Sequence, residues 1–141
     1  MSRNKEWQKI LIIDNNGNMS EGGYWVELAK KYGVGYEAII KDTKEEILAE
    51  LSKMFARSAR FAGTILDIIY KGQSEGGMEL WEVLKRKGVR ARCGHLLVTT
   101  KMNSEEVLQF VKSEHALLNT RMAKPHKEVA FREFLKICGL P

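Results

Sequence analysis

The chain has 141 residues, of which 44% are hydrophobic and 29% charged, with a net charge of +5 and a pI near 9.2. That length is a prior for one domain able to bury about two thirds of its unfolded surface. No run approaches the roughly 18 apolar residues of a membrane span, and Met1–Trp7 has no apolar core of signal-peptide length, which predicts a cytoplasmic globular protein. Cys93 and Cys138 lack a metal-ligand spacing, so two free thiols are expected.

Strands and helices alternate along the chain. Strand one is read at about Lys9–Asp14, where the run Ile10-Leu11-Ile12-Ile13 ends on an acid. Helix one follows at about Glu21–Tyr32, with Trp25, Leu28, Ala29 and Tyr32 at helical spacing and Gly33 as its stop. Strand two is about Gly35–Ile40. Helix two, capped by Asp42 or Thr43 and carrying Glu45 and Glu46 in its first turn, ends near Ala59. Strand three, about Ala62–Ile68, contains Thr64-Ile65-Leu66 and a second terminal acid, Asp67.

A polar, glycine-rich loop, Ile69 to Gly77, leads into helix three at about Met78–Lys87. Strand four, about His95–Thr99, is the run Leu96-Leu97-Val98 followed by Thr99-Thr100. Helix four is about Ser104–Lys112, capped by Asn103 or Ser104; a short strand five falls somewhere in Ala116–Ala123, and helix five is about Lys127–Ile137. Lys85, Arg86, Lys87, Arg90, Arg92 and Lys101 contain most of the basic excess. Most of them fall at a helix end and the following loop, where cations suit the helix dipole and solvent. An anionic partner is the alternative there, without a nucleic-acid motif or aromatic interleaving to support it. His95, His115 and His126 share no spacing that suggests a metal site or catalytic pair.

Continuous apolar strands joined by helices predict an α/β, doubly wound, parallel five-stranded sheet, a flavodoxin-like three-layer sandwich with strand order 2-1-3-4-5. In that order strands one and three are neighbours at the topological switch point, so Asp14 and Asp67 open into one crevice. Two close carboxylates repel, and a hard divalent cation with oxygen ligands relieves them; Mg²⁺ takes one or two carboxylates plus phosphate oxygens. Thr99 and a lysine near the C-terminus, Lys124, complete a constellation suited to an aspartate that accepts a phosphoryl group, since such transfer is mostly positioning and charge neutralisation.

These residues resemble the receiver domains of two-component response regulators, of which the bacterial chemotaxis regulator is the minimal example. The resemblance runs from about Lys9 to Leu140. It rests on Ile10-Leu11-Ile12-Ile13-Asp14-Asn15, on Ile65-Leu66-Asp67 followed by Gly76-Gly77-Met78-Glu79-Leu80, on Leu97-Val98-Thr99-Thr100, and on Lys124-Pro125. It implies that Asp67 is the phospho-acceptor. It further implies that Asp14, Asn15, Asp67 and the backbone carbonyl of Ile69 hold Mg²⁺, that Thr99 is the switch hydroxyl, and that Lys124 is the family's lysine. The implied partners are a histidine kinase or phosphotransfer protein and a downstream protein target. A homodimer through helix four, strand five and helix five is a further expectation; membrane and nucleic acid are not expected partners.

The sequence departs from the family's pattern at three points. Asn15 stands where a second acid is usual, which removes one negative charge and weakens Mg²⁺. The loop after Asp67 is longer and lacks the common Met-Pro turn and the Asp before the glycine. Arg121 stands where an aromatic residue precedes the lysine by three positions. These departures motivate an alternative reading, a phosphorylation-independent pseudo-receiver acting as a protein-interaction module. A small flavodoxin-like enzyme or nucleotide binder is the third; Asn15-Asn16-Gly17-Asn18 forms neither G-x-G-x-x-G nor a P-loop. No output domain follows helix five in this chain; if the receiver stands alone, output is expected through protein contact or phosphoryl shuttling, and the chain equally fits one domain of a longer protein.

Overall fold

The strands form where the sequence offers short apolar runs without polar alternation, and this requires both faces of the sheet to be covered. In a computed structural model of the protein they are β1 (Lys9–Asp14), β2 (Gly35–Ile40), β3 (Gly63–Asp67), β4 (His95–Thr99) and β5 (Leu117–Asn119), all parallel, in the order β2-β1-β3-β4-β5. The structure describes residues 8–14, 19–41, 43–67, 76–101, 104–121 and 123–140, with the side chains of 19–22 outside that description. The predicted order and class are those observed.

Five helices cover the sheet: α1 (Met19–Lys31), α2 (Lys44–Ala56), α3 (Gly76–Arg86), α4 (Glu105–Glu114) and α5 (Lys124–Cys138). Along β1 successive side chains point to opposite faces. Ile10 and Ile12 pack with Trp25, Leu28 and Phe131 under α1 and α5. Leu11 and Ile13 pack with Ile47, Leu51, Trp81 and Val107 under α2, α3 and α4. The protein therefore has two apolar cores, one on each side of the sheet.

Helix starts follow local capping chemistry. The Thr43 Oγ1 caps α2 by accepting from Glu46 N at 3.2 Å, and Ser104 Oγ caps α4 by accepting from Val107 N at 3.2 Å. The alternative caps, Asp42 and Asn103, lie outside the described residues. Two glycines are required by close packing. Gly94, just before β4, has φ 70° and ψ −149°, a region essentially reserved for glycine, and a Cβ there would lie 2.2 Å from the Ala62 carbonyl oxygen. A Cβ at Gly63, the first residue of β3, would lie 2.5 Å from Cys138 Sγ and 2.6 Å from Phe134.

The principal correction concerns α5. It begins at Lys124, three residues before the predicted start, because Pro125 falls in its first turn, where its missing N–H costs no helical bond. Lys124 is thus a helix residue and not a loop residue. In addition, α1 and α3 each begin two residues early, at Met19 and Gly76, and α2 stops at Ala56.

Candidate functional site

The parallel register determines what meets at the carboxyl rim of the sheet. Ile13 of β1 pairs with Leu66 of β3, so Asp14 and Asp67 occupy the next, terminal positions of neighbouring strands. Asp67 in turn pairs with Thr99 of β4, and Thr99 with Asn119 of β5. The sequence reading therefore placed Asp14, Asp67 and Thr99 on one rim correctly. Asp14 is buried, only 7% exposed, and its backbone carbonyl accepts from Lys41 N at 3.1 Å; Asp67 is half-buried. Asn15 and Ile69, the other expected metal ligands, lie outside the described residues, as does the loop from Ile69 to Glu75.

Thr99 is 6% exposed. Its neighbour Asn119, equally buried, was missed by the sequence reading. The Asn119 Nδ2 lies 3.5 Å from Thr99 Oγ1 and donates to the carbonyl of Arg121 at 3.1 Å, while the Asn119 carbonyl accepts from Thr100 N at 3.0 Å. An amide thus links the hydroxyl of β4 to the connection between β5 and α5. Arg121, at the position of the family's aromatic, is exposed.

Lys124 opens α5 at the same rim. Its side chain is exposed to solvent, with Nζ 5.2 Å from the centroid of the Tyr24 ring on α1, and its carbonyl faces the Tyr24 hydroxyl at 3.4 Å. One turn on, Lys127 is only 4% exposed, with Nζ 5.7 Å from the centroid of the Trp25 ring. Lys127 was also missed. Its signal was present, because it stands four residues before Phe131 and so in line with the apolar stripe of α5.

The donors at the rim are carboxylate oxygens, which suit a hard cation such as Mg²⁺ and not a soft one. Among the described residues no group of three or more His, Cys, Asp or Glu side chains could hold a metal ion. The two cysteines are free and suited to packing: burial pushes the Cys93 thiol up to about 11 and the Cys138 thiol up to about 12, so neither is an activated nucleophile.

Lys85, Arg86, Lys87 and Lys101 are exposed, in line with a solvated stretch, while Arg90 and Arg92 are half-buried and, with Lys85, hold partners inside the molecule. The Glu114 carboxylate, at the end of α4, accepts from Trp81 Nε1 at 2.9 Å, Arg90 Nε at 3.0 Å and Lys85 Nζ at 3.0 Å. Burial pushes the Glu114 carboxyl up, but those three hydrogen bonds outweigh it and hold the group below the usual carboxylate range. The Arg92 guanidinium donates to the carbonyls of Phe55 at 2.7 Å and Ala59 at 3.1 Å, closing the end of α2. No helix among the described residues is long and apolar enough to cross a membrane.

No protein-family model and no curated protein matches the chain. Solved structures do match. The chemotaxis response regulator CheY4 of Vibrio cholerae superposes with a TM-score of 0.64 at 18% identity, over 92% of this chain and 98% of that one. A response regulator receiver protein from Burkholderia phymatum gives a TM-score of 0.62 at 22% identity, over 94% and 97%. The Mn²⁺-bound form of response regulator Rcp1 gives 0.64 at 17% identity, over 91% and 94%. The chain has the CheY-like receiver fold.

Proposed function

We propose that this chain is a single response regulator receiver domain that accepts a phosphoryl group on Asp67 from a histidine kinase or phosphotransfer protein and signals by protein–protein contact. The observation that carries the reading is the register Ile13–Leu66, Asp67–Thr99. It sets two strand-end carboxylates and a hydroxyl side by side at the switch point of a receiver fold, where α/β sheets bind their ligands. A carboxylate oxygen of Asp67 forms the new bond to phosphorus as the bond from phosphorus to the donor nitrogen breaks, with the nitrogen keeping the electron pair. Asp14, Asn15, Asp67 and the carbonyl of Ile69 would hold Mg²⁺, which when bound offsets the charge gathered on the phosphoryl oxygens. The Mn²⁺ in Rcp1 supports a divalent cation in this fold. Lys124 supplies a cation at the rim and Thr99 a hydroxyl hydrogen bond. The domain itself is a signalling module of the cytoplasm and not a metabolic enzyme. The phosphoryl group adds nearly two negative charges, which bias the face formed by α4, β5 and α5 toward a second packing and a downstream target or a second copy.

One observation favours a second reading, a pseudo-receiver that binds partners without phosphorylation. The Asn119 amide lies 3.5 Å from the Thr99 hydroxyl, and Arg121, in place of the family's aromatic, is exposed. A titration with beryllofluoride and Mg²⁺, followed by tryptophan fluorescence, separates the two. A saturable change abolished by Asp67→Asn is expected. A folded protein that does not respond at millimolar Mg²⁺ would refute phosphoryl acceptance and leave the pseudo-receiver.

A further inference from the structure

The first turn of α5 has an unusual charge pattern. A helix N-terminus carries unsatisfied N–H groups and a partial positive charge, so it favours acids and capping side chains. The helices α2 and α4 have both: Thr43 with Glu45 and Glu46, and Ser104 with Glu105 and Glu106. The N-cap of α5 is Ala123, without a side-chain cap bond, and no acid lies in its first turn; Lys124 and Lys127 are there instead.

Lys127 supplies the independent observation. Its side chain is inside the protein, 4% exposed, and its described polar contact is the face of Trp25 at 5.7 Å. A ring face at that distance offsets only part of the cost of dehydrating an ammonium group, and buried cations are normally paired with an anion. The nearest acid on α5 is already committed: Glu128 accepts from Lys31 Nζ at 2.7 Å and from the Tyr32 hydroxyl. No carboxylate among the described residues forms a salt bridge with Lys127. Long helical side chains lean toward the N-terminus of their own helix, so Lys127 leans toward the rim. Lys124, three residues earlier, is its neighbour on the helix surface, and the two ammonium groups lie over the adjacent rings of Tyr24 and Trp25.

We propose that Lys127 together with Lys124 forms a two-lysine site for a phosphoryl-type oxyanion between α1 and the first turn of α5. Two point-charge donors one helical turn apart suit a tetrahedral anion with several equivalent oxygens. The oxyanion is either free phosphate or the group carried on Asp67; the second source rests on the receiver reading above.

The test uses the whole chain and the variants Lys127→Met, Lys127→Gln, Lys124→Met and Asp67→Asn. Thermal melting is followed against inorganic phosphate at constant ionic strength, and tryptophan fluorescence against beryllofluoride with Mg²⁺. Both Lys127 variants are expected to weaken the apparent affinity for the effective probe by at least about tenfold, and Lys124→Met to weaken it less. In chloride alone Lys127→Met is expected to melt no lower than the parent, because it removes a buried cation without an anion. If Lys127→Met does not fold, Lys127→Gln supplies the affinity comparison. A phosphate response that persists in Asp67→Asn identifies free phosphate as the occupant; a beryllofluoride response lost in Asp67→Asn and weakened in the Lys127 variants identifies the group on residue 67. Lys127 variants that respond like the parent, or a parent that responds to neither probe, overturn the site. A beryllofluoride response lost in Asp67→Asn yet intact in both Lys127 variants overturns it while leaving the receiver reading standing. A phosphate response lost in the Lys127 variants, without any beryllofluoride response, supports the site and removes that reading.

Discussion

Replacing Glu114 by alanine removes the acceptor shared by Trp81, Arg90 and Lys85. Trp81 is fully buried, so its indole N–H loses its partner without gaining water, at about 1–3 kcal/mol. Arg90 and Lys85 keep 28% and 43% of their side-chain exposure and can rehydrate, so each ion pair adds only about 0–1 kcal/mol. Glu114→Ala is therefore expected to destabilise by roughly 1–5 kcal/mol, and Glu114→Gln, which retains an oxygen for the indole, by about half as much. The effect depends on pH in a defined direction. The Glu114 carboxyl is held below its unfolded range by the hydrogen bonds that outweigh burial. Its ionised form therefore contributes stability that is fully present above the usual glutamate pKa of about 4.3 and is lost as pH falls through the lower folded value. Urea denaturation followed by fluorescence, at pH 7 and again below pH 4, measures both quantities. A loss in Glu114→Ala under about 1 kcal/mol at pH 7 would refute the reasoning. So would a difference between parent and Glu114→Gln that stays constant as the pH is lowered.

Gly94→Ala is expected to cost at least about 2 kcal/mol, since the residue adopts a backbone region closed to alanine and its Cβ would strike the Ala62 carbonyl; a urea midpoint unchanged at constant m-value would contradict this. On the proposed metal site, Asn15→Asp is expected to tighten Mg²⁺ by about tenfold, because it adds a carboxylate charge to the ligand set. Isothermal calorimetry reads that directly, and an unchanged affinity would separate residue 15 from the metal.

The strands β1, β3 and β4 were legible because a parallel strand buried on both faces leaves an uninterrupted apolar run in the sequence. The ends of those runs carry Asp14, Asp67 and Thr99, so the rim could be read from them. The start of α5 was not legible in the same way, since Lys124-Pro125 reads equally as a turn and as a first helical turn. Glu114 was hidden for a different reason. Its donors stand 33, 29 and 24 residues away in sequence, and only the packing of α3 beside α4 brings them together. For the same reason the pairing of Lys85 and Arg90 with that carboxylate could not be read from the sequence. Asn119 was obscured by its surroundings: β5 has only three residues, too few for a period to show which face a side chain takes.

The sheet also acts as a partition. Ile10, Ile12, Ile65 and Leu97 look one way, and Leu11, Ile13, Leu66 and Val98 the other, so each strand serves two interiors whose side chains do not interleave. Damage to one interior is then largely invisible to its counterpart, and losses from a cavity under Phe131 and another under Leu80 should simply sum. Cross-talk between the halves is left to the backbone ladder. The α1–α5 half can therefore be remodelled by mutation while the α2–α4 half keeps its packing, and the rim is where the two histories must remain compatible.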